Sequence, residues 1–179
     1  MIKGGKGGAK TLTGLRFESR VSLKSAISSI QGYSVDRDIV YFGGNKVANL
    51  YHKHDLYKNL LEPKKINFAD IISKKLLPDE SILVIKNQTL FIIEMKFQEV
   101  AGSVDEKLQT CDFKNRQYNK LLSSLKITVK YVYVLSDWFK KKEYKDVLEY
   151  ISSVGCYYFF NEMPLDFLGL PKPQVEVNN

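Results

Sequence analysis

The sequence between residues 78 and 97 reads PDESILVIKNQTLFIIEMKF, and this stretch determines the fold that we predict. Its two apolar runs, 82–85 and 89–93, are separated by the polar residues 86–88, which is the pattern of two antiparallel strands joined by a turn. The second run is apolar almost throughout, as expected for a strand that is covered on both faces. Glu94 and Lys96 follow it, and a spacing of two residues places both side chains on one face of that strand.

A carboxylate and an ammonium in a buried strand need partners, because an unpaired buried charge is strongly destabilising. A mutual ion pair between Glu94 and Lys96 would satisfy both charges without any ligand. Asp79 offers a second interpretation, because an even hairpin loop centred on residues 87–88 sets Ser81 opposite Glu94. In that register Asp79 faces Lys96 and is the diagonal neighbour of Glu94, with Cβ atoms roughly 7 Å apart.

Two carboxylates on one face of a hairpin can bind a divalent cation between them. Such an oxygen-rich site suits Mg²⁺ and not zinc, which prefers nitrogen and sulfur ligands. The prediction depends on the register, because an odd loop length would turn Asp79 to the opposite face from Glu94. His52 and His54 are two residues apart, with no thiolate or third histidine beside them, and make a poor zinc site.

Helical and strand-like patterns alternate around this hairpin. Apolar spacing predicts helices over 13–30, 55–61, 104–122 and 143–151, and strands over 39–42, 47–51, 127–135 and 156–160. The segment after Pro164 is predicted to be a loop. Strands and helices that alternate after residue 89 favour right-handed crossovers with helices on the faces of the sheet. We therefore predict an α/β fold, a three-layer α/β/α sandwich around a central mixed sheet.

Length and composition limit the class of protein. The chain has 179 residues, which suits one domain, and 44% of them are hydrophobic, as a folded core requires. Two cysteines, Cys111 and Cys156, are too few for a disulfide scaffold or for a zinc site with four cysteine ligands. No apolar run has the length of a membrane span, and no apolar segment follows the basic N-terminus. These features predict a cytoplasmic protein that does not enter the membrane.

The net charge of +7 is concentrated near the N-terminus, because residues 1–60 hold ten basic and four acidic side chains. Residues 1–10 are rich in glycine, and we predict a flexible basic arm that follows a DNA backbone through Lys3, Lys6 and Lys10. Solubility alone would explain the charge equally well. A phosphate-binding loop is excluded because Ala9 stands where that motif requires glycine, so no organic cofactor is predicted.

Pro78-Asp79, fourteen residues and then Glu94-Met95-Lys96 match the PD-(D/E)XK nuclease motif. Gln98 follows, GSVDEK at 102–107 opens the next predicted helix, and TLTGLRFE at 11–18 lies near the N-terminus. Together these residues resemble a type II restriction endonuclease of that superfamily, over residues 11 to 135. The resemblance implies a restriction-endonuclease-like core, with residues 11–179 forming a single nuclease domain.

The resemblance also implies an active site for hydrolysis of DNA. Asp79, Glu94 and the main-chain carbonyl of Met95 would bind Mg²⁺, and Glu18 would hold a coordinated water or a second ion. Lys96 would orient or deprotonate the attacking water and offset charge on the scissile phosphate. The expected products carry a 5′-phosphate and a 3′-hydroxyl.

Three further residues are candidates for contacts with phosphate or with the ligating side chains, namely Gln98, Ser103 and Lys107. Gln98 and Lys107 could equally be plain solvated residues. A palindromic duplex site matches a two-fold axis, so the resemblance implies a homodimer acting on double-stranded DNA. Two alternatives stay open: a junction or repair nuclease of the same fold, and a DNA-binding module whose charged cluster is only structural.

Overall fold

The computed structural model describes residues 14–17, 22–98 and 104–173 of the chain. Its strands are β1 (Gly14–Arg16), β2 (Tyr33–Asp36), β3 (Ile39–Phe42), β4 (Asn45–Tyr51), β5 (Glu80–Val84), β6 (Thr89–Lys96), β7 (Thr128–Leu135), β8 (Tyr157–Phe160) and β9 (Glu162–Pro164). Its α-helices are α1 (Leu23–Ser28), α2 (Val104–Leu108), α3 (Cys111–Leu122), α4 (Lys145–Ser153) and α5 (Leu165–Leu168). A π-helix spans Leu56–Leu61, and 3₁₀ turns span Glu62–Lys64, Phe68–Asp70, Ser123–Leu125, Asp137–Lys140 and Lys142–Tyr144.

Strands β2 to β8 form one seven-stranded mixed sheet in sequence order. Neighbours from β2 to β6 are antiparallel, whereas β6, β7 and β8 run parallel to one another. The two parallel connections contain α3 and α4, because a parallel pair needs a crossover long enough to return the chain. Strands β1 and β9 pair separately as a two-stranded antiparallel sheet.

Alternate residues of β6 belong to two different hydrophobic clusters, as the strand period requires. Leu90 and Ile92 pack in a cluster with α3, α4 and the π-helix. Phe91 and Ile93 pack in a second cluster with α1, α5 and the β1–β9 pair. Helices therefore cover both faces of the mixed sheet, which confirms the predicted α/β sandwich. In the part of the chain that the structure describes, no helix is both long and apolar enough to cross a membrane.

The predicted helix over 13–30 is wrong in its first half. Gly14–Arg16 forms β1 and pairs with β9, and the Phe17 amide donates to the Asn161 carbonyl at 2.8 Å. The helix begins only at Leu23, where the Ser22 hydroxyl accepts a hydrogen bond from the amide of Ser25. Pairing with a strand distant in sequence thus overrides the local helical pattern.

Other elements agree with the sequence more closely. The hairpin of β3 and β4 and the helical turn at Leu56–Leu61 are confirmed, although the latter is a π-helix. The predicted helix over 104–122 is two helices, α2 and α3. The edge strand β2 was not predicted, and the segment after Pro164, predicted as a loop, contains the short helix α5.

Candidate active site

The hairpin of β5 and β6 sets the position of Asp79. The last pair of the hairpin before the loop is Val84 with Thr89, so four residues, 85–88, form the loop. The Asn87 side chain shapes this loop, since its Oδ1 accepts from the Thr89 amide at 3.1 Å and its Nδ2 donates to the Leu168 carbonyl at 3.2 Å. The loop is therefore centred one residue earlier than predicted.

This difference moves the register by two residues. Strand β5 begins with Glu80 paired to Ile93, so Asp79 continues the register opposite Glu94. The prediction that Asp79 faces Lys96, and Ser81 faces Glu94, is therefore wrong. Asp79 nevertheless lies on the predicted face of the sheet, the same face as Glu94, because a shift of two residues leaves every side chain on its original side.

The structure brings Asp79, Glu94 and Lys96 together. Lys96 Nζ lies 2.9 Å from Glu94 Oε2 and 3.2 Å from Asp79 Oδ2, so one ammonium contacts both carboxylates. The cluster lies at the carboxyl end of β6, beside the carboxyl end of the parallel strand β7. In open α/β sheets this edge is where ligands usually bind.

A fourth charged residue, Lys114 on α3, completes the cluster. Lys114 Nζ lies 3.3 Å from Glu94 Oε1, the carboxylate oxygen that Lys96 does not contact. Each oxygen of Glu94 therefore has its own ammonium partner. Sequence analysis did not select Lys114, and no short motif marks it, because its place depends on how α3 packs on the sheet.

The four side chains differ in exposure, from 6% for Glu94 and 16% for Lys96 to 28% for Lys114 and 43% for Asp79. Burial acts to lower the pKa of Lys96, but the nearby carboxylates of Glu94 and Asp79 outweigh it and raise the pKa above its ordinary value. Two negative and two positive groups thus balance, which is how a buried ion cluster is tolerated.

Buried tyrosines lie on the same face of the sheet as Glu94. Tyr131 and Tyr133 on β7 and Tyr118 on α3 are almost completely inaccessible to solvent. Burial, together with the charge of Glu94, raises the pKa of Tyr131, so this hydroxyl stays protonated. The Tyr133 hydroxyl donates to the Lys107 carbonyl at 3.0 Å, which attaches α2 to the sheet. The aromatic surroundings strengthen charge interactions at the site.

The remaining predicted site residues are not brought to the carboxylates by any contact that the structure describes. The Met95 side chain packs on the opposite face of the sheet from Glu94. Its predicted role as a metal ligand concerns only its main-chain carbonyl. Gln98 exchanges hydrogen bonds with Ser136 through its main chain, at 3.2 and 3.3 Å. Lys107 is exposed. The other predicted residues, Glu18, Ser103, Lys3, Lys6 and Lys10, lie outside the described residues.

Asp79 and Glu94 supply carboxylate oxygens, the kind of donor that Mg²⁺ and other hard divalent cations accept. No group of three or more histidine, cysteine, aspartate or glutamate side chains that could hold a metal occurs in residues 14–17, 22–98 and 104–173. Mg²⁺ commonly uses one or two carboxylates and retains several waters. Asp79 and Glu94 already hold a cationic group between them, the Lys96 ammonium. Among the described carboxylates, Lys96 contacts only Asp79 Oδ2 and Glu94 Oε2, so the other oxygen of each carboxylate could hold Mg²⁺, with water and main-chain oxygens as further ligands.

The next residue, Glu80, points to the opposite face and has a different role. Its Oε1 accepts from the Leu23 amide at 3.4 Å, and its Oε2 lies 3.6 Å from His52 Nδ1. Glu80 thereby links the beginning of α1 to β5. Burial raises the pKa of Glu80, and the opposing effects of His52 and the Leu23 amide do not cancel it.

The raised pKa of Glu80 predicts a pH-dependent effect of Glu80→Gln on stability. The Glu80 carboxyl group therefore binds a proton more readily in the folded protein than in the unfolded chain. Its favourable contribution to stability is full when the pH is below the pKa of the unfolded chain, and it is lost as the pH rises through the pKa of the folded protein. We expect the melting temperature of Glu80→Gln, relative to the unsubstituted protein, to be higher at pH 8 than at pH 4.

Thermal denaturation at both pH values tests this expectation. Glu149→Gln is the matched control, because Glu149 is 68% exposed and lies in a surface pair with Lys145. The prediction would be contradicted if the difference in melting temperature between Glu80→Gln and the unsubstituted protein were the same at pH 4 and pH 8.

The chain was compared with known protein families, with curated proteins and with solved structures, and none of these comparisons found a match.

Proposed function

We propose that this protein is a Mg²⁺-dependent endodeoxyribonuclease that hydrolyses double-stranded DNA at specific sites, in the manner of type II restriction enzymes. The observation that carries the proposal is the convergence of Asp79, Glu94 and Lys96 on one face at the carboxyl end of β6. Their spacing in sequence resembles the PD-(D/E)XK motif. Further support comes from the elements around them, since the motif lies on an antiparallel hairpin followed by the crossover helix α3 and the parallel strand β7.

Each residue has a defined task in this proposal. Asp79 and Glu94 would hold Mg²⁺, which when bound would stabilise negative charge on the phosphate and lower the pKa of the attacking water. Lys96 orients that water and offsets charge on the scissile phosphate. Water adds to phosphorus and releases one proton to solvent, the bond from phosphorus to the 3′ oxygen breaks, and the leaving oxygen takes up a proton from solvent. The products are a 5′-phosphate and a 3′-hydroxyl.

The proposal includes a partner and an assembly. One such site cuts one strand, so cutting both strands of a palindromic sequence needs two sites related by a two-fold axis. We therefore propose a homodimer on double-stranded DNA, acting in the cytoplasm. The net charge of +7 supports an anionic partner.

The experiment is a digest of plasmid DNA of known sequence with the purified protein and Mg²⁺, with EDTA as the control. Discrete fragments that require Mg²⁺ would support a site-specific nuclease, and their ends would give the recognition site and stagger. Cleavage of branched DNA alone would favour a junction nuclease of the same chemistry. If neither Mg²⁺ nor Mn²⁺ supports cleavage of plasmid or branched DNA, the cluster has a structural role and the proposal is wrong.

The basic residues of the N-terminal arm should contribute to DNA affinity through counterion release. Lys3, Lys6 and Lys10 can each neutralise about one phosphate, so removing residues 1–10 should reduce the slope of log affinity against log salt by up to about 3. We expect DNA affinity to fall as well. Fluorescence anisotropy with a labelled duplex at several salt concentrations measures both quantities.

The control separates charge from chain length. Replacing Lys3, Lys6 and Lys10 together by arginine should preserve the salt slope, whereas replacing them by glutamine should reproduce the deletion. An unchanged slope in the glutamine variant would show that the arm makes no contact with the DNA backbone.

A further inference from the structure

Lys114 is attached to the cluster more weakly than Lys96. Lys96 Nζ contacts two carboxylates and its side chain is 16% exposed. Among the carboxylates that the structure describes, Lys114 Nζ contacts only that of Glu94, at 3.3 Å, and its side chain is 28% exposed. A further contact of this ammonium, with the Tyr131 ring, has a distance of 5.9 Å to the ring centre, which is at the outer limit of a cation–π interaction. Of the two lysines, Lys114 is therefore the one that can leave Glu94 more easily.

A divalent cation would change the charge balance of this cluster. Asp79 and Glu94 carry two negative charges, and Lys96 and Lys114 carry two positive charges, so the four groups are balanced without a metal. Adding a cation to the carboxylates leaves an excess of positive charge in a partly buried site, where repulsion between like charges is strong. A cation bound through Glu94 Oε1 would compete with Lys114 for that oxygen.

An ammonium that the cation displaces to the edge of the site would be free to bind an anion. The proposed substrate provides one, since a DNA backbone carries phosphates on either side of the scissile bond. Lysine is well suited to this contact because its long, flexible side chain presents a compact charge. A phosphate beside Lys114 would restore the charge balance that the metal disturbs.

We propose that Lys114 is a displaceable counter-ion that couples metal binding to DNA binding. It holds Glu94 Oε1 in the metal-free protein and moves to a backbone phosphate when a divalent cation binds Glu94. This inference rests on the proposed function, because it assumes a metal at Glu94 and DNA as the substrate. Lys114 is in this respect a positioning residue for the metal ligand and a contact for the substrate.

The first test measures metal binding to the full-length protein in the absence of DNA. Lys114→Met removes the competitor for Glu94 Oε1, so we expect Mn²⁺ to bind more tightly, by about fivefold, as measured by calorimetry. Lys120→Met is the matched control, because Lys120 is an exposed lysine on the same helix. Its Mn²⁺ affinity should equal that of the unsubstituted protein. A purely structural Lys114 would instead give unchanged or weaker Mn²⁺ binding in Lys114→Met, and that result would overturn the inference.

The second test measures DNA affinity with and without a divalent cation. Ca²⁺ is used in place of Mg²⁺ to limit cleavage. The probe is a short duplex that carries the recognition sequence identified from the fragment ends of the plasmid digest. In the unsubstituted protein Ca²⁺ should strengthen DNA binding. In Lys114→Met this gain should shrink by about fivefold. An equal loss of DNA affinity with and without Ca²⁺ would overturn the inference.

Glu94→Gln distinguishes failure of this inference from failure of the proposed function. If Glu94→Gln removes Mn²⁺ binding and Lys114→Met has no effect on it, the metal site stands and the role of Lys114 is wrong. If Glu94→Gln binds Mn²⁺ as the unsubstituted protein does, the metal site itself is wrong, and both proposals fall. Lys114→Gln, which keeps a polar side chain, replaces Lys114→Met in these measurements if that variant does not fold.

Discussion

Glu94→Gln and Lys96→Gln should each lower the rate of DNA cleavage by about a thousandfold or more. Glutamine matches glutamate in size and is shorter than lysine. It removes the negative charge of Glu94 that would bind the metal, or the positive charge of Lys96 that would offset the phosphate. Asp79→Asn should act in the same direction. The rates are measured as the conversion of supercoiled plasmid to nicked and linear forms with Mg²⁺ in excess.

The chain offers a closely matched control for these substitutions. Glu149 and Lys145 form an ion pair of the same two residue types at 3.7 Å, on the exposed face of α4. Glu149→Gln and Lys145→Gln should cleave DNA at the same rate as the unsubstituted protein. Both side chains are more than two-thirds exposed, and an isolated surface ion pair contributes little to the stability of a protein. DNA binding without Mg²⁺ should be retained in the Glu94 and Lys96 variants. Cleavage at a normal rate by either of them would contradict the assignment of the site.

The central hairpin illustrates what the sequence can predict. A nearly continuous apolar run identified β6, and the polar triplet at 86–88 located the turn. The register was wrong by two residues, because the hydrogen bond from the Thr89 amide to Asn87 Oδ1 and the contact of Asn87 with Leu168 fix the loop. The face of Asp79 was predicted correctly nonetheless, since strands repeat every two residues and the error was even.

Contacts between distant segments explain what the sequence could not predict. The pattern at 13–30 is helical, but β1 pairs with β9, and only a segment far along the chain provides those hydrogen bonds. Lys114 was missed for a related reason. Its position in a predicted helix was known, but its contact with Glu94 requires the angle and depth at which α3 packs on β6 and β7.

The balance of charge in the cluster leads to the second large effect, which is on stability. Lys96→Met combined with Lys114→Met leaves the Glu94 carboxylate, 6% exposed, without either of its ammonium partners. An uncompensated buried charge of this kind destabilises a protein by about 3–5 kcal/mol. We therefore expect the melting temperature of the double variant to fall by roughly 10 °C. Thermal and urea denaturation in EDTA measure this change without interference from metal ions.

A third substitution shows whether the loss comes from charge or from packing. Glu94→Gln added to the double variant removes the unpaired charge at nearly constant volume, so it should recover most of the lost stability. Lys120→Met combined with Lys145→Met, both exposed, should alter the free energy of unfolding by no more than about 0.5 kcal/mol. A triple variant no more stable than the double variant would mean that the methionine side chains disturb the packing of α3 on the sheet. The pairing of Glu94 with two lysines would then contribute little to the fold.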